Sequence, residues 1–401
     1  MKKKVLFIPL ALLLAISLVA IGCPAEEEEA KELVIGAIDG LSGAGSEAIA
    51  RSADGKNAAV DWVNDKGGLT INGEKYLIKM IAEDSMMSID GSLAAATKLV
   101  YDHKVKFVVV TVPVPPFKAA ITELLESNKV LRVDEDGLGS PSELTADMSY
   151  TFVAFFDNVP HFVGYDYFVE FYPEVKKVAM VCVEDPSGIA VIEFTLRPQA
   201  LAHGLTVVCE ETYPFGTTDF YPMWTKVLAA EPDAVVIGCG MPQWYGSIIK
   251  QGRELGFEGP FYGTGQGGGD PSTIIDIAGN FATDVLVCSY DLKSPEMTPM
   301  IKEIAGIIPD KFGREACTDD ILGWETLWCM TQAIEAAQSL DPTVVRDTFE
   351  KMESIETPCG TGKMGGLETY GINHVIIRPA ALTRIMNGEA EFITWFMPEL
   401  P

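Results

Sequence analysis

The chain has 401 residues, 48% of them apolar, and a formal net charge of −27. That length and apolar content suffice for two domains of ordinary size with large cores. A chain this acidic repels nucleic acid and anionic lipid, which excludes a polyanion-binding role, and solubility accounts for most of the charge.

The chain starts with Lys2, Lys3 and Lys4, then an almost unbroken apolar run from Val5 to Ile21. Gly22, Cys23, Pro24, Ala25 and the glutamates Glu26 to Glu29 follow. A basic start, an apolar run and a small residue before the cut read as a secretory signal. A cysteine directly after that small residue resembles the lipobox of bacterial lipoproteins, with Ala20 where that family usually has leucine. The resemblance implies a signal peptide over 1–22, lipidation of Cys23, and an acidic tether over 23–31 that anchors the chain to the cell membrane. The alternative is an uncleaved membrane helix, because the apolar run nearly spans a bilayer. Either way the remaining residues work outside the cytoplasm.

Past the tether, short β-branched runs alternate with amphipathic stretches. Strands are predicted at 33–38, 76–82, 107–111 and 130–133, and helices at 48–64, 93–101 and 117–126. The pattern restarts after Tyr150, with strands at 178–183, 206–209, 234–238, 260–262 and 285–289. Helices at 189–202, 221–230, 245–255 and 273–278 fill the gaps. Helix-rich sequence follows over 296–308, 321–339 and 343–351, then strand-like pieces at 375–377, 381–385 and 391–395. Continuous apolar strands separated by helices imply parallel sheets covered on both faces. The expected fold class is α/β, with two doubly wound Rossmann-like lobes. The expected division is 32–150 in lobe 1, 151–285 in lobe 2, 286–351 returning as lobe 1 helices, and 352–401 as a lobe 2 C-terminal segment.

Leu33 to Ile38 is followed by Gly40-Leu41-Ser42-Gly43, Ala58 to Leu69, Asn72-Gly73, Glu83-Asp84 and Ala95 to Val100. Pro214 to Phe220, Pro232-Asp233-Ala234 and Gln251 to Gly256 come later. In this order and spacing the segments resemble type I periplasmic binding proteins of the Leu/Ile/Val family. The resemblance spans roughly 31–400. It implies a three-strand hinge, two lobes that close on a small-molecule ligand, and delivery to a permease of the ABC-transporter class. It also implies a monomer with no cofactor, no metal and no catalytic group. Hinge closure around a ligand is an established switching mode, and ligands of open α/β sheets sit outside the carboxyl ends of the strands.

The loops at those strand ends depart from the family. Where small hydroxyl residues usually hold a ligand carboxylate, the chain has Thr111, Val112, Pro113, Val114, Pro115 and Pro116. The next strand-end loop is Asp134, Glu135, Asp136 and Gly137, which does not suit a ligand carboxylate. In the second lobe Glu184 and Asp185 are kept, Ser187-Gly188 replaces a Tyr-Gly pair, and Gly265-Gln266 stands where an ammonium-binding acid is common. The expected ligand contacts in the first lobe are therefore Ser42, Pro113, Val114, Asp134, Glu135 and Asp136. Those in the second are Ser187, Met241, Trp244, Gln266 and Tyr290. The first-lobe acids would anchor a cationic or amide ligand through charge-assisted bonds, with Trp244 able to cover a cation by its face. A solvated turn at 134–136 and plain packing of Trp244 are the structural alternatives.

Other signals are weaker. Gly263 to Gly268 and Gly360 to Gly365 each satisfy a dinucleotide fingerprint, but neither occupies a first βα turn. Asp134-x-Asp136 resembles the start of a calcium loop, with Thr145 where the closing glutamate belongs. The four histidines have no HExxH spacing, no GxSxG occurs, and His161 near the lobe crossover is the one that could touch ligand. Beyond Cys23, seven cysteines remain and no CxxC occurs, so a zinc ribbon is not expected. Cys182, Cys209, Cys239 and Cys288 read as buried free thiols, while a bridge among Cys317, Cys329 and Cys359 stays open. A ligand-sensing receptor domain and an exported enzyme are the competing functions. The receptor needs a span or fused module, which is not expected after Pro401, and the enzyme needs a nucleophile and base.

Overall fold

A computed structural model describes residues 30–43, 45–112, 115–135, 141–154, 158–265 and 268–398, without the side chains of 141 and 158–163. In chain order the first block is β1 (Lys31–Asp39), α1 (Ser46–Asp65), β2 (Leu69–Ile71), β3 (Glu74–Asp84), α2 (Ile89–Thr97), β4 (Phe107–Thr111), α3 (Pro115–Ser127), β5 (Leu131–Asp134) and β6 (Thr151–Val153). The second block is α4 (Asn158–Phe171), β7 (Lys177–Val183), α5 (Pro186–Val191), α6 (Arg197–Ala202), β8 (Thr206–Tyr213), α7 (Tyr221–Ala229), β9 (Ala234–Ile237), α8 (Pro242–Glu254), β10 (Phe261–Gly263), α9 (Pro271–Ala278) and β11 (Val285–Val287). Then come α10 (Pro299–Phe312), α11 (Thr318–Ala337), α12 (Pro342–Phe349), β12 (Ile355–Thr357), β13 (Gly360–Gly365), α13 (Leu367–Tyr370), β14 (Val375–Ile377), β15 (Ala380–Met386) and β16 (Glu389–Phe396).

The strands form two sheets. One has nine strands in the order β12-β13-β14-β6-β5-β4-β1-β3-β2, and the other has seven in the order β16-β15-β11-β10-β9-β7-β8. β3, β1, β4, β5, β6 and β14 run parallel, as do β8, β7, β9, β10 and β11. Their middle strands are buried from end to end, β4 as Phe-Val-Val-Val-Thr and β9 as Ala-Val-Val-Ile. Such runs have no polar face to offer, so each sheet carries an apolar core on both sides. These are the two doubly wound lobes. Among the described residues, no helix is long and apolar enough to cross a membrane.

The lobe boundaries differ from expectation. β6 belongs to the nine-stranded sheet, so the first lobe runs past 150. Strands β12 to β14 also pair there, so 352–377 is not part of the second lobe. The pieces at 375–377 and 381–385 look like a hairpin in sequence. Only Arg378 and Pro379 separate β14 from β15, and neither has the positive φ that a tight hairpin turn needs. The chain instead runs from one sheet into the other, and β15 pairs antiparallel with β11. Together with the passages after β6 and after β11, this is the third crossing of the hinge.

All seven described cysteines are free thiols, so no bridge joins Cys317, Cys329 or Cys359. Cys182 and Cys288 are buried, while Cys209 and Cys239 are partly exposed. Gly360 to Gly365 forms β13, an antiparallel strand between β12 and β14, which removes its likeness to a dinucleotide turn.

His374 locks β14 to β6. It is buried, its Nδ1 lies 2.9 Å from the Thr151 carbonyl, and its ring stacks 3.8 Å from Phe152. Burial pushes its pKa down from 6.5 to about 4, against the Thr151 bond, so the native ring is neutral. A depressed folded value means that its contribution is full above pH 6.5 and is lost as pH falls through about 4. A shift of that size corresponds to roughly 3 kcal/mol. His374→Gln keeps a donor for Thr151 and cannot charge. Urea unfolding of this variant between pH 7 and pH 4 is expected to show a flatter stability profile than the parent.

Candidate functional site

Asp39, Thr111 and Glu135 stand at the carboxyl ends of three adjacent parallel strands, β1, β4 and β5, on the face covered by α1. α1 reaches them because it crosses α11 at two glycines. A Cβ on Gly55 would lie 2.1 Å from the Asp320 carbonyl, and one on Gly323 would lie 2.0 Å from the Ser52 carbonyl. The approach sets Ser52 and Lys56 over the strand ends. Lys56 is fully buried, pairs with Asp39, donates to Thr111 Oγ1 at 2.5 Å and lies 3.9 Å from Glu135. Ser52 and Thr111 both donate to Glu135 Oε2, the latter at 2.6 Å. Asp39 Oδ2 is buried with no hydrogen-bond partner among the described residues.

Asp134 points to the other face, as the β pleat requires. Arg132, two residues earlier, grips it with Nε and Nη2, each at 2.5 Å, and Nη1 reaches Thr122 at 3.0 Å. Asp134 and Glu135 are each only 3% exposed. Both carboxylates are buried and held by partners of their own lobe. Among the described residues, no group of three or more His, Cys, Asp or Glu side chains could hold a metal.

The lip of the first lobe is organised by Asp84. Its Oδ1 accepts from the amides of Leu41, Ser42 and Met86 at 3.0, 3.2 and 2.8 Å, and its Oδ2 accepts from Ser42 Oγ at 2.6 Å. Burial raises this carboxyl, but the Ser42 and backbone bonds outweigh it and hold the group below its ordinary value. Ser42 therefore has a partner at the lip. A Cβ on Gly45 would meet Phe215 and Met241 of the second lobe at 3.1 and 3.2 Å, so the lobes touch here.

In the second lobe, Asp185 caps α5 by accepting from the Gly188 amide at 2.7 Å. Burial raises its pKa, opposed by that bond, by the Ser187 amide and by the charge of Lys118. Lys118 belongs to α3 of the first lobe and lies 4.0 Å from Glu143 of the same lobe. One cation thus faces two acids, one from each lobe. Ser187 Oγ lies 3.9 Å from Cys239 Sγ. Trp244 is 5% exposed and meets Tyr213 and Phe215 edge-on at 5.7 and 5.0 Å, so it packs into the lobe core beside Met241. Tyr290 lies in the second hinge crossing, with its hydroxyl 3.0 Å from Cys359 Sγ. Cys23, Pro113, Val114, Asp136 and Gln266 lie outside the described residues, as does the His161 side chain.

The structure brings Lys56, Ser52, Asp39 and Thr111 together with Glu135, a group the sequence reading did not assemble. A signal existed: Lys56 lies between Ala53 and Ala58-Ala59 on the buried side of an amphipathic helix, where an unpaired lysine does not belong.

A family model described as periplasmic binding protein matches residues 32–390. Among solved structures, the leucine binding protein LivK from Thermotoga maritima superimposes with TM-score 0.76 at 20% identity, covering 91% of this chain and 99% of that one. The branched-chain amino acid transporter substrate binding protein LivJ from Streptococcus pneumoniae, in complex with isoleucine, gives 0.74 at 20% identity, covering 90% and 99%. A solute binding protein of an ABC transporter from Rhodopseudomonas palustris, in complex with benzoate, gives 0.76 at 14% identity, covering 92% and 97%. At these identities the likeness shows a shared fold.

Proposed function

We propose, from the premise that this chain belongs to the periplasmic binding protein family, that it is an extracytoplasmic lipoprotein, anchored through Cys23, that traps a small cationic or amide-bearing ligand between its lobes. It passes the ligand to an ABC-transporter permease. Members of the family are solute-binding proteins of the extracytoplasmic space, and no chemical step on the ligand is proposed.

The observation that carries the ligand class is the charge of the facing strand ends. Glu143 of the first lobe and Asp185 of the second share the charge of Lys118, Asp84 lies at the first-lobe lip, and Glu184 precedes Asp185 in the second, while the inner pairs Asp39–Lys56 and Arg132–Asp134 are closed within the first lobe. A cleft lined by one sign of charge concentrates the opposite sign. With Asp134 neutralised by Arg132, the partly exposed Asp185 is the carboxylate this reading assigns to the ligand.

The test is thermal unfolding of residues 26–401 against amines, amides, aromatic acids and branched-chain amino acids. A ligand at about a thousand times its dissociation constant adds roughly 4 kcal/mol. Asp185→Asn keeps a good helix cap, so the free protein should melt where the parent does while the shift given by an amine is lost. A shift by leucine or valine that persists in Asp185→Asn would leave the family default standing and remove the cationic reading.

A further inference from the structure

Asp270 is 2% exposed and caps α9 of the second lobe, its Oδ2 accepting from the Thr273 amide at 2.9 Å and from Ser272 Oγ at 2.6 Å. Its other oxygen faces the first lobe. Oδ1 accepts from the amide of Thr318 at 3.1 Å and from Thr318 Oγ1 at 2.9 Å, at the first residue of α11. Thr318 Oγ1 lies 3.0 Å from Ser289 Oγ in the second hinge crossing, and the Ser289 carbonyl accepts from Thr383 Oγ1 of β15 at 2.8 Å. One carboxylate therefore ends two helices that belong to different lobes, next to the segment about which the lobes turn. Two helix amino ends converge on it, and each favours a negative group.

We propose that Asp270 is a positioning residue that sets the angle between the lobes. It joins the start of α9, directly after the Gly268-Gly269 turn that packs on the Gly240 carbonyl, to the start of α11. Rotation of the lobes that draws α11 away from α9 must break the two bonds to Thr318 or the cap of α9. The arrangement holds a preferred lobe angle whatever ligand is bound, and does not rest on the ligand class argued above.

The chemistry of the site supplies two separable variants. Asp270→Asn has one acceptor oxygen for two helix amides on opposite sides, so its NH2 must face one of them. Thr318→Val removes the hydroxyl alone and leaves the α9 cap intact. Small-angle scattering of the ligand-free full chain is expected to show a larger radius of gyration and a broader distance distribution for both variants than for the parent. Thr318→Ser, which restores the hydroxyl, should return the parent curve. If Asp270 serves only to cap α9, Asp270→Asn melts earlier while both variants keep the parent's scattering curve, and the proposal fails. If Asp270→Asn does not fold, Thr318→Val decides alone: expansion supports the proposal and an unchanged curve overturns it.

Discussion

Replacing Lys56 with methionine is expected to lower the free energy of unfolding by about 3–5 kcal/mol, the range for breaking a buried ion pair from one side. Among the described residues, Lys56 is the cation that pairs with Asp39, and it also faces Glu135. Methionine fills a similar volume, so little of the effect comes from a cavity. What remains is a fully buried Asp39 carboxylate that has lost its ion pair, and a Glu135 that keeps the neutral hydroxyls of Ser52 and Thr111 but has lost the Lys56 charge. The double variant with Asp39→Asn should recover a large part of the loss, because an amide in that position leaves no charge to compensate. Urea unfolding of the single and double variants measures this. A loss of under about 1 kcal/mol, the level of an ordinary substitution, would show that water reaches the cluster and screens it. A double variant no more stable than the single would show that the cost lies in packing.

The alternation of strands and helices was legible because buried parallel strands must be apolar on both faces, and the helices between them must not be. The run Phe107 to Thr111 and the face Ala58-Ala59-Val63 of α1 carried that information locally. The lobe boundaries were harder to read because they depend on which sheet a three-residue strand joins. Val375 to Ile377 is as apolar as Ala381 to Ile385, and nothing local says that the first pairs with Val153 and the second with Val285 to Val287. The acids at 134 and 135 were visible, but their partners were not. Arg132 is two residues away and lies on the Asp134 side of the pleat, while Ser52, Lys56 and Thr111 reach Glu135 only once α1 lies across the strand ends. Sequence shows charge, and the fold decides which charges are left facing the ligand. Asp134 is buried against Arg132, whereas Asp185, which the sequence shows in an acidic pair, stays partly exposed.

Arg378→Met should weaken the hinge itself. Arg378 lies in the third crossing, 4% exposed, and donates through Nε to Glu325 of α11 at 2.7 Å and through Nη1 to the Pro379 carbonyl at 3.0 Å. Tyr290 of the second crossing and the Cys359 thiol stand beside it, so two of the three crossings meet one helix around a single buried cation. Burial pushes Cys359 up to about 12 and raises Glu325, the latter partly offset by attraction to Arg378. Removing the guanidinium takes that offset away and leaves a buried glutamate, with an expected loss of about 3–5 kcal/mol near pH 7. The sign with pH follows from the raised folded value of Glu325. Its contribution is full below the ordinary value of 4.5 and is lost as pH rises through the folded value, and without Arg378 the folded value rises further. Arg378→Met should therefore approach the parent at pH 4 and fall well below it at pH 7, and Glu325→Gln placed in the same chain should narrow the pH 7 gap. Urea unfolding at the two pH values reads this directly. Equal losses at both would mean that the arginine acts through its stem and its bond to Pro379, with the charge of Glu325 playing no part in holding the crossings together.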